Sequence, residues 1–473
     1  MILGLTNFFA SANRALNSLR ENNRANVTVF FALSILPVAI GAGAAVDYQR
    51  AVSAKVEMTQ AMETAAIYAA TMSATTTDQA RLAAVQNFVN TNYGNSGDAA
   101  LSNISVDNFT DHVAVNATAT ILSAFMQLAG VNSIAIPVSV EVKKSGINLE
   151  VSLVLDNTNS MNTKSQGATN TPIVDLKAAA TSFVNTVLPD VQGTFYTKIA
   201  LVPYNNGVNP GATLAPLARG TISTSPSTST TPGSTNFRFT NAQNQSTTFG
   251  IMNCVTERTG SKAYTDASAA TYPVGRGYYG SSNNCSVTQM VPLTTDKTTL
   301  TTALGNMSAG NSTAGQVGIA WGWYSLSPNF GLWSGGSVPA GYDKLTASDY
   351  LQKVKKIMIL MTDGEYNSAN CNGVITGVPT VSGSGGDSDH INCAATNGDS
   401  YAQSTSMCSA IKAAGIEVYV ITFQLDSTIQ KRVDLVNNCA TDSSHILNAS
   451  NSNQLDTVFR NLATSITSLY VSK

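Results

Sequence analysis

Asp156, Thr158 and Ser160 follow directly on the apolar run 149–155 (LEVSLVL). One loop at a strand end therefore offers a carboxylate and two hydroxyls at alternate positions, a spacing suited to holding a hard metal ion. A second apolar run, 356–361 (KIMILM), leads into Thr362, Asp363, Gly364 and Glu365, which adds another strand-end carboxylate. Between the two, the string GNSTAG carries Asn311, Ser312 and Thr313. An all-oxygen set with few formal charges suits Mg²⁺ or Mn²⁺, with Ca²⁺ a further hard cation, and has little affinity for zinc, which prefers cysteine and histidine. Taken alone, D-x-T-x-S reads as an Asx or Ser/Thr turn, because these residues populate turns for backbone reasons. Three oxygen-bearing loops in this order favour the metal.

Loops of this kind need a rigid scaffold, and from residue 148 onward strand patterns alternate with helix patterns. Strands are expected at 149–155, 198–204, 356–361 and 417–423. Helices are expected at 173–188, 297–307, 315–326 and 401–414, with a terminal one from 454. Such alternation predicts an α/β fold, a doubly wound and mainly parallel sheet covered on both faces and running to residue 473. Two stretches are longer than ordinary connections. Residues 205–290 include the low-complexity run 221–234, which lacks apolar periodicity, and residues 366–399 follow the second carboxylate strand. Insertions at the carboxyl ends of strands stand where open α/β sheets bind ligands.

Upstream, residues 27–46 (VTVFFALSILPVAIGAGAAV) carry no charge and are about as long as the ~20 residues a membrane crossing needs. Arg14, Arg20 and Arg24 precede them, so the amino end is expected in the cytoplasm and the rest outside. Ala42-Gly43-Ala44 also fits a signal-peptidase site, which leaves a secreted form as the alternative. The helical pattern continues past Asp47 through Val52, Val56, Met62, Ala65, Ala66 and Ala69, and favours an uncut helix. A turn cluster at 90–97 and alternating runs at 112–119 and 134–142 then predict a small α+β module, the long helix lying on a short sheet. The expected domains are a basic head (1–24), a transmembrane helix (25–47), the module (48–147) and the α/β domain (148–473).

Composition narrows the function. Only 11% of the 473 residues are charged, against about 25% in ordinary soluble proteins. The formal net charge is −2 with no Lys/Arg block, so nothing neutralises phosphates and nucleic acid is excluded as a partner. All six cysteines, Cys254, Cys285, Cys371, Cys393, Cys408 and Cys439, lie in the second half. An even set without a C-x-x-C reads as disulfides in an oxidising compartment. Several connectivities are open, and pairing in sequence order is the expectation.

The order D-x-T-x-S, Gly-flanked Thr, TDGE resembles the metal-ion-dependent adhesion site (MIDAS) of von Willebrand factor A domains. The resemblance implies that Thr158, Ser160 and Thr313 bind Mg²⁺ directly and that Asp156 and Asp363 bind directly or through water. It also implies a vacant position that accepts an acidic group from a partner. Thr158 departs from the serine that many members carry, but keeps the hydroxyl. The segment from Arg24 to about Ala70, with its basic head, apolar run, Asp and Ala-rich helix, is similar to TadE/TadG-like proteins of the tight-adherence (Flp) pilus system. Joined to an outer von Willebrand A domain it resembles the TadG-like branch. That implies an inner-membrane, single-pass pilus-assembly or adhesion component with a periplasmic or cell-surface domain. Its partners would be pilus assembly components or pilin offering a carboxylate.

No G-x-S-x-G, Walker or H-E-x-x-H motif occurs, and the only histidines are His112, His390 and His445, so no enzyme is expected and no residue is assigned a catalytic role. A Mg-dependent hydrolase is the weakest alternative. Asp387, Asp389 and His390 read as solvated loop residues rather than a second metal site. Trp321 and Trp323 read as helix-to-sheet packing, and His445 as a hydrogen-bonded structural imidazole.

Overall fold

The computed structural model describes residues 23–72, 76–92, 99–109, 112–143, 146–164, 169–280, 284–285, 287–349, 351–378 and 386–470. The expected basic head, with Arg14 and Arg20, and most of the 90–97 turn cluster lie outside them. The chain divides into two compact units, 1–144 and 145–473.

In the first unit a helix of 49 residues, Asn23–Thr71, is followed by a second, Asp78–Asn92, and by three antiparallel strands. These are β1 (Ala99–Asn108), β2 (His112–Leu122) and β3 (Ser133–Lys143). Alternation drives β2 onto the core, since Val113, Val115, Ala117, Ala119 and Ile121 point to one face. The long helix covers that face with Ala51, Ala54, Met58, Met62, Ala65, Ala66 and Ala69, spaced three or four apart. Val52 and Val56, expected on the same stripe, are exposed. Small alanines let the helix lie close to the sheet, and the bulkier valines are turned outward. Among the described residues no helix is long and apolar enough to cross a membrane. Of the uncharged run 27–46, Val27, Phe30, Phe31, Leu33, Ile35 and Val38 are exposed.

The second unit is built on β4 (Asn148–Asp156), β5 (Thr197–Tyr204), β10 (Val291–Thr294), β11 (Val354–Thr362), β15 (Glu417–Phe423) and β16 (Ile446–Ala449). Their order is β10-β5-β4-β11-β15-β16, all parallel except the edge strand β10. Chain order runs from β4 outward to β5 and β10, then returns to β11 on the other flank of β4. The gap between β4 and β11 is thus the switch point of the sheet. Even-numbered Val154, Val202, Met358 and Val420 face the helices Gly315–Leu326, Ser400–Ala413 and Gln430–Cys439. Odd-numbered Val151, Leu153, Leu201, Ile359 and Ile421 face Pro172–Val187, Lys297–Gly305 and Ser452–Tyr470. Strands covered on both sides read as the continuous apolar runs seen in the sequence. The helix Gly315–Leu326 lies so near the sheet that a Cβ on Gly322 would stand 2.4 Å from Val154 Cγ2.

The expected insertions are folded. The first contains the helix Gly211–Arg219 and a four-stranded sheet of β6 (Ser223–Ser229), β7 (Ser234–Thr240), β8 (Ser246–Thr256) and β9 (Gly275–Tyr279). The low-complexity run 221–234, which lacks apolar periodicity, supplies β6. It is an edge strand with exposed Ser and Thr side chains, so backbone pairing suffices and no apolar alternation is required. The second carries β12 (Asn370–Cys371), β13 (Val374–Val378) and β14 (Ile391–Ala394). Phe237, Phe239, Phe249 and Tyr278 of the first pack with Val374 and Ile391 of the second, so the two insertions share one core.

Cys254–Cys285, Cys371–Cys393 and Cys408–Cys439 are bonded, and no cysteine is free. Pairing follows sequence order as expected. Cys408 and Cys439 join two helices inside the core and are fully buried. Replacing both by alanine removes the constraint on a loop of 31 residues. The expected loss is about 2–4 kcal/mol, read as a lower denaturant midpoint with a steeper slope, since the unfolded chain freed of the cross-link exposes more surface; an unchanged midpoint would contradict it.

Candidate metal centre

Both carboxylates arise from the strands that flank the switch point. Leu155 of β4 pairs with Met361 of β11, so Asp156 and the Thr362–Asp363 pair leave the sheet side by side. Asp156 is fully buried. Its Oδ1 accepts hydrogen bonds from the Thr158 amide (3.0 Å) and hydroxyl (2.6 Å), and its Oδ2 from the Tyr204 hydroxyl (3.0 Å) and Thr362 Oγ1 (3.3 Å). Thr158 Oγ1 and Ser160 Oγ are 3.0 Å apart. The Asp363 carboxylate takes a hydrogen bond from Ser160 and, at 2.9 Å, one from the Glu365 amide. Four of the five expected ligands therefore form one connected patch.

The loop that carries Thr313 is tied to the Asp156 loop by its neighbours Ser308, Gly310 and Asn311, whereas the Thr313 backbone itself bonds to Asn367 and Ser368. Asn157 Nδ2 donates to the Ser308 carbonyl (2.9 Å), the Gly310 amide to the Asn157 carbonyl (3.0 Å) and the Asn159 amide to the Asn311 carbonyl (3.1 Å). Asn311 has φ +63°, a left-handed conformation that asparagine tolerates better than most residues. The Ala314 amide donates to the Asn205 carbonyl (2.7 Å), and the Thr313 amide to Asn367 Oδ1 (2.8 Å). A Cβ on Gly315 would stand 2.0 Å from the Tyr366 ring, so close approach dictates the glycine after Ala314. The geometry thus draws the three loops together, and the second insertion braces the middle one through Asn367.

Electrostatically the patch is short of positive charge. Burial, and secondarily the charge of Asp363, push the Asp156 carboxyl up to about 7, against the hydrogen bonds from Thr158 and Tyr204. Asp363 is also raised, burial first, although Ser160, the Glu365 amide and Arg432 pull the other way. Two crowded, desolvated carboxylates are the state that a divalent cation relieves. The donors are oxygen only, which fits Mg²⁺ chemistry. Among the described residues no group of three or more His, Cys, Asp or Glu side chains gathers as a metal site. Beside its two carboxylates this patch is made of hydroxyls, those of Thr158, Ser160, Tyr204 and Thr362.

Several neighbours escaped the sequence reading. Tyr204 orients Asp156 and also reaches the Met361 carbonyl (3.3 Å). Only the register that sets Asp156 opposite Tyr204 reveals it, and no local pattern does. Asn205 is fully buried, and neither of its amide atoms has a hydrogen-bond partner among the described residues. Elsewhere, Asp387 is exposed but His390, expected to be solvated, is buried, because its carbonyl pairs with the Ala242 amide (2.8 Å) between the insertions. Trp321 and Trp323 are buried in the core. His445 Nδ1 lies 2.8 Å from Asp442 Oδ1.

Residues 25–87 match the Flp pilus-assembly TadE/G-like family. No curated protein matches the chain. Among solved structures it is similar to the pilus adhesin SpaC from Lactobacillus rhamnosus GG, with 13% identity and a TM-score of 0.36 over 80% of this chain and 35% of that one. The vWF domain of the type V pili tip protein Mfa5 from Porphyromonas gingivalis matches at 13% identity and a TM-score of 0.37, over 69% of this chain and 97% of that one. This chain thus spans about a third of the SpaC chain, 35%. TM-scores at this level leave the fold to rest on the chain's own topology.

Proposed function

We propose that the chain is a membrane-anchored, extracytoplasmic pilus-assembly or adhesion component, a binding protein rather than an enzyme. Its second unit acts as a von Willebrand A-type domain. Asp156, Thr158, Ser160, Thr313 and Asp363 hold Mg²⁺ there, and Mn²⁺ or Ca²⁺ are the other hard cations of the same chemistry. The bound ion would supply a coordination position for a carboxylate of a protein partner, a pilus component or pilin. Asp156 and Thr158 fix the loop, Ser160 links it to Asp363, and Tyr204 holds Asp156 in place.

One observation carries this reading: Asp156, buried, and Asp363, half-buried, meet at the switch point of the sheet, bridged by hydroxyls. The TadE/G-like stretch supports the pilus role. Anchoring through 27–46 is supported by the absence of charge over about 20 residues and by apolar side chains exposed along the run. Three disulfides suit the oxidising side of the membrane.

The test is Mg²⁺ titration of the full chain in detergent by calorimetry, followed by retention of pilin on the immobilised protein with and without chelator. One ion per chain and chelator-sensitive retention are expected. Absence of Mg²⁺ binding, or retention indifferent to chelator, would overturn the assignment.

A further inference from the structure

The turn that joins β2 to β3 is apolar where a solvated turn would be polar. Leu122 is 68% exposed, Phe125 45% and Leu128 73%, and no charged residue occurs between His112 and Glu141. Isolated exposed apolar side chains are ordinary, but a contiguous group on one turn marks a surface that meets something apolar.

The structure fixes where this turn stands along the long helix. The Asp47 carboxylate accepts three backbone hydrogen bonds, from the amides of Ala124 (3.0 Å), Phe125 (2.9 Å) and Met126 (2.8 Å). It thereby caps the 3₁₀ turn Met126–Ala129, which Gly130 closes with φ +85°. Arg50 lies 3.6 Å from Asp47 and donates to the Leu122 carbonyl at 3.4 Å. Four residues earlier, Gly43 lies under Phe125, and a Cβ there would stand 2.4 Å from Phe125 Cβ. The turn is therefore pinned level with residues 43–47. Those residues end the uncharged run, and a helix from 27 to 46 rises about 28 Å, close to the ~30 Å of a bilayer core. If 27–46 crosses a bilayer, the turn stands at its outer boundary. Asp47 can sit there because its charge is satisfied by three amides and an arginine.

We propose that the 122–130 turn is a membrane-interface anchor, with Leu122, Phe125 and Leu128 seated among the headgroups and first acyl carbons of the outer leaflet. The occupant is lipid rather than a second copy, since the turn is tied to the level at which the helix leaves the bilayer and carries no charge. The anchor fixes the height and tilt of the first unit above the membrane. It deepens the anchoring reading above and rests on it.

The absence of a free thiol permits single-site labelling. Full-length Leu128→Cys, Ile35→Cys and Asn108→Cys proteins are each labelled with an environment-sensitive fluorophore and reconstituted into phosphatidylcholine–phosphatidylglycerol vesicles with nitroxide-bearing lipids. Asn108 lies at the other end of the β1–β2 pair, about 30 Å of strand away from the turn. Ile35 should be quenched most by deep nitroxides, Leu128 most by shallow ones, and Asn108 by neither. Unquenched Ile35 would remove the anchoring reading itself. Quenched Ile35 with Leu128 behaving like Asn108 would overturn the interface anchor alone. Leu128 with blue-shifted emission but no lipid quenching would overturn it in favour of a second copy.

Discussion

Asp156→Ala is expected to abolish Mg²⁺ binding while the full chain stays folded. The carboxylate gathers four donors from Thr158, Tyr204 and Thr362, so its loss removes both a charge and the order of the 156–160 loop. Folding survives because other partners are in place. Tyr204 still reaches the Met361 carbonyl and Thr158 still faces Ser160, while Asp363 loses a like-charged neighbour. An ion at about 100 times its dissociation constant stabilises the native state by about 2.7 kcal/mol. The Mg²⁺-induced rise in melting temperature should therefore be present in the wild type and missing from the variant. An undiminished rise in Asp156→Ala would end the assignment.

The same carboxyl predicts an opposite pH response with and without the ion. Raised to about 7 in the folded chain, it binds a proton at pH values where the unfolded chain has released it. In chelator, the contribution of this carboxyl to stability is fully present below the unfolded value, about 4, and is lost as pH rises through about 7. Mg²⁺ must displace that proton, so its affinity should climb with pH up to about 7 and then level, by about tenfold per unit if one proton leaves. Calorimetry at three pH values across that window decides it, and a flat affinity would contradict the coupling.

What could be read from the sequence, and what could not, follows from how local each signal is. The sheet strands were legible because strands buried on both faces are apolar throughout, as in 149–155 and 356–361. The two carboxylate loops were legible because they leave those strands directly. β1 was not, since a register shift between Ser102 and Ser105 breaks the alternation of Leu101, Ile104 and Val106. The helix Gln430–Cys439 buries only Leu435, Val436 and Cys439 and otherwise reads as a polar loop. In the long helix Met62, Ala65, Ala66 and Ala69 lie on the expected stripe, and only Val52 and Val56 miss it, because alanine is apolar on every side and Ala51 and Ala54 take their place. Tyr204, Asn205 and Asn367 act on the site only through tertiary register, which no local spacing encodes.

The buried ion pair at the other end of the same two strands offers the second large effect. Lys356 of β11 is in register with Glu150 of β4, and both side chains are wholly buried. The ammonium contacts the Glu150 carboxylate and donates to the Leu326 carbonyl (2.8 Å), where it caps the C-terminus of the helix Gly315–Leu326. Burial lowers the Lys356 pKa, and Glu150 partly restores it. Glu150 in turn accepts from the Tyr196 hydroxyl (3.2 Å) and the Ala340 amide (2.9 Å). Lys356→Met leaves a buried carboxylate with two neutral donors and no counter-charge, and breaking such a pair costs about 3–5 kcal/mol. Glu150→Gln combined with Lys356→Met should recover much of that, because the amide oxygen can still accept from Tyr196 and Ala340. Mg²⁺ affinity of the folded fraction should not change, since the pair lies away from the carboxyl ends of the strands. Denaturation midpoints of the single and double variants test the argument. A single variant that loses less than about 1 kcal/mol, or a double variant no more stable than the single, would show that the pair is not held as described.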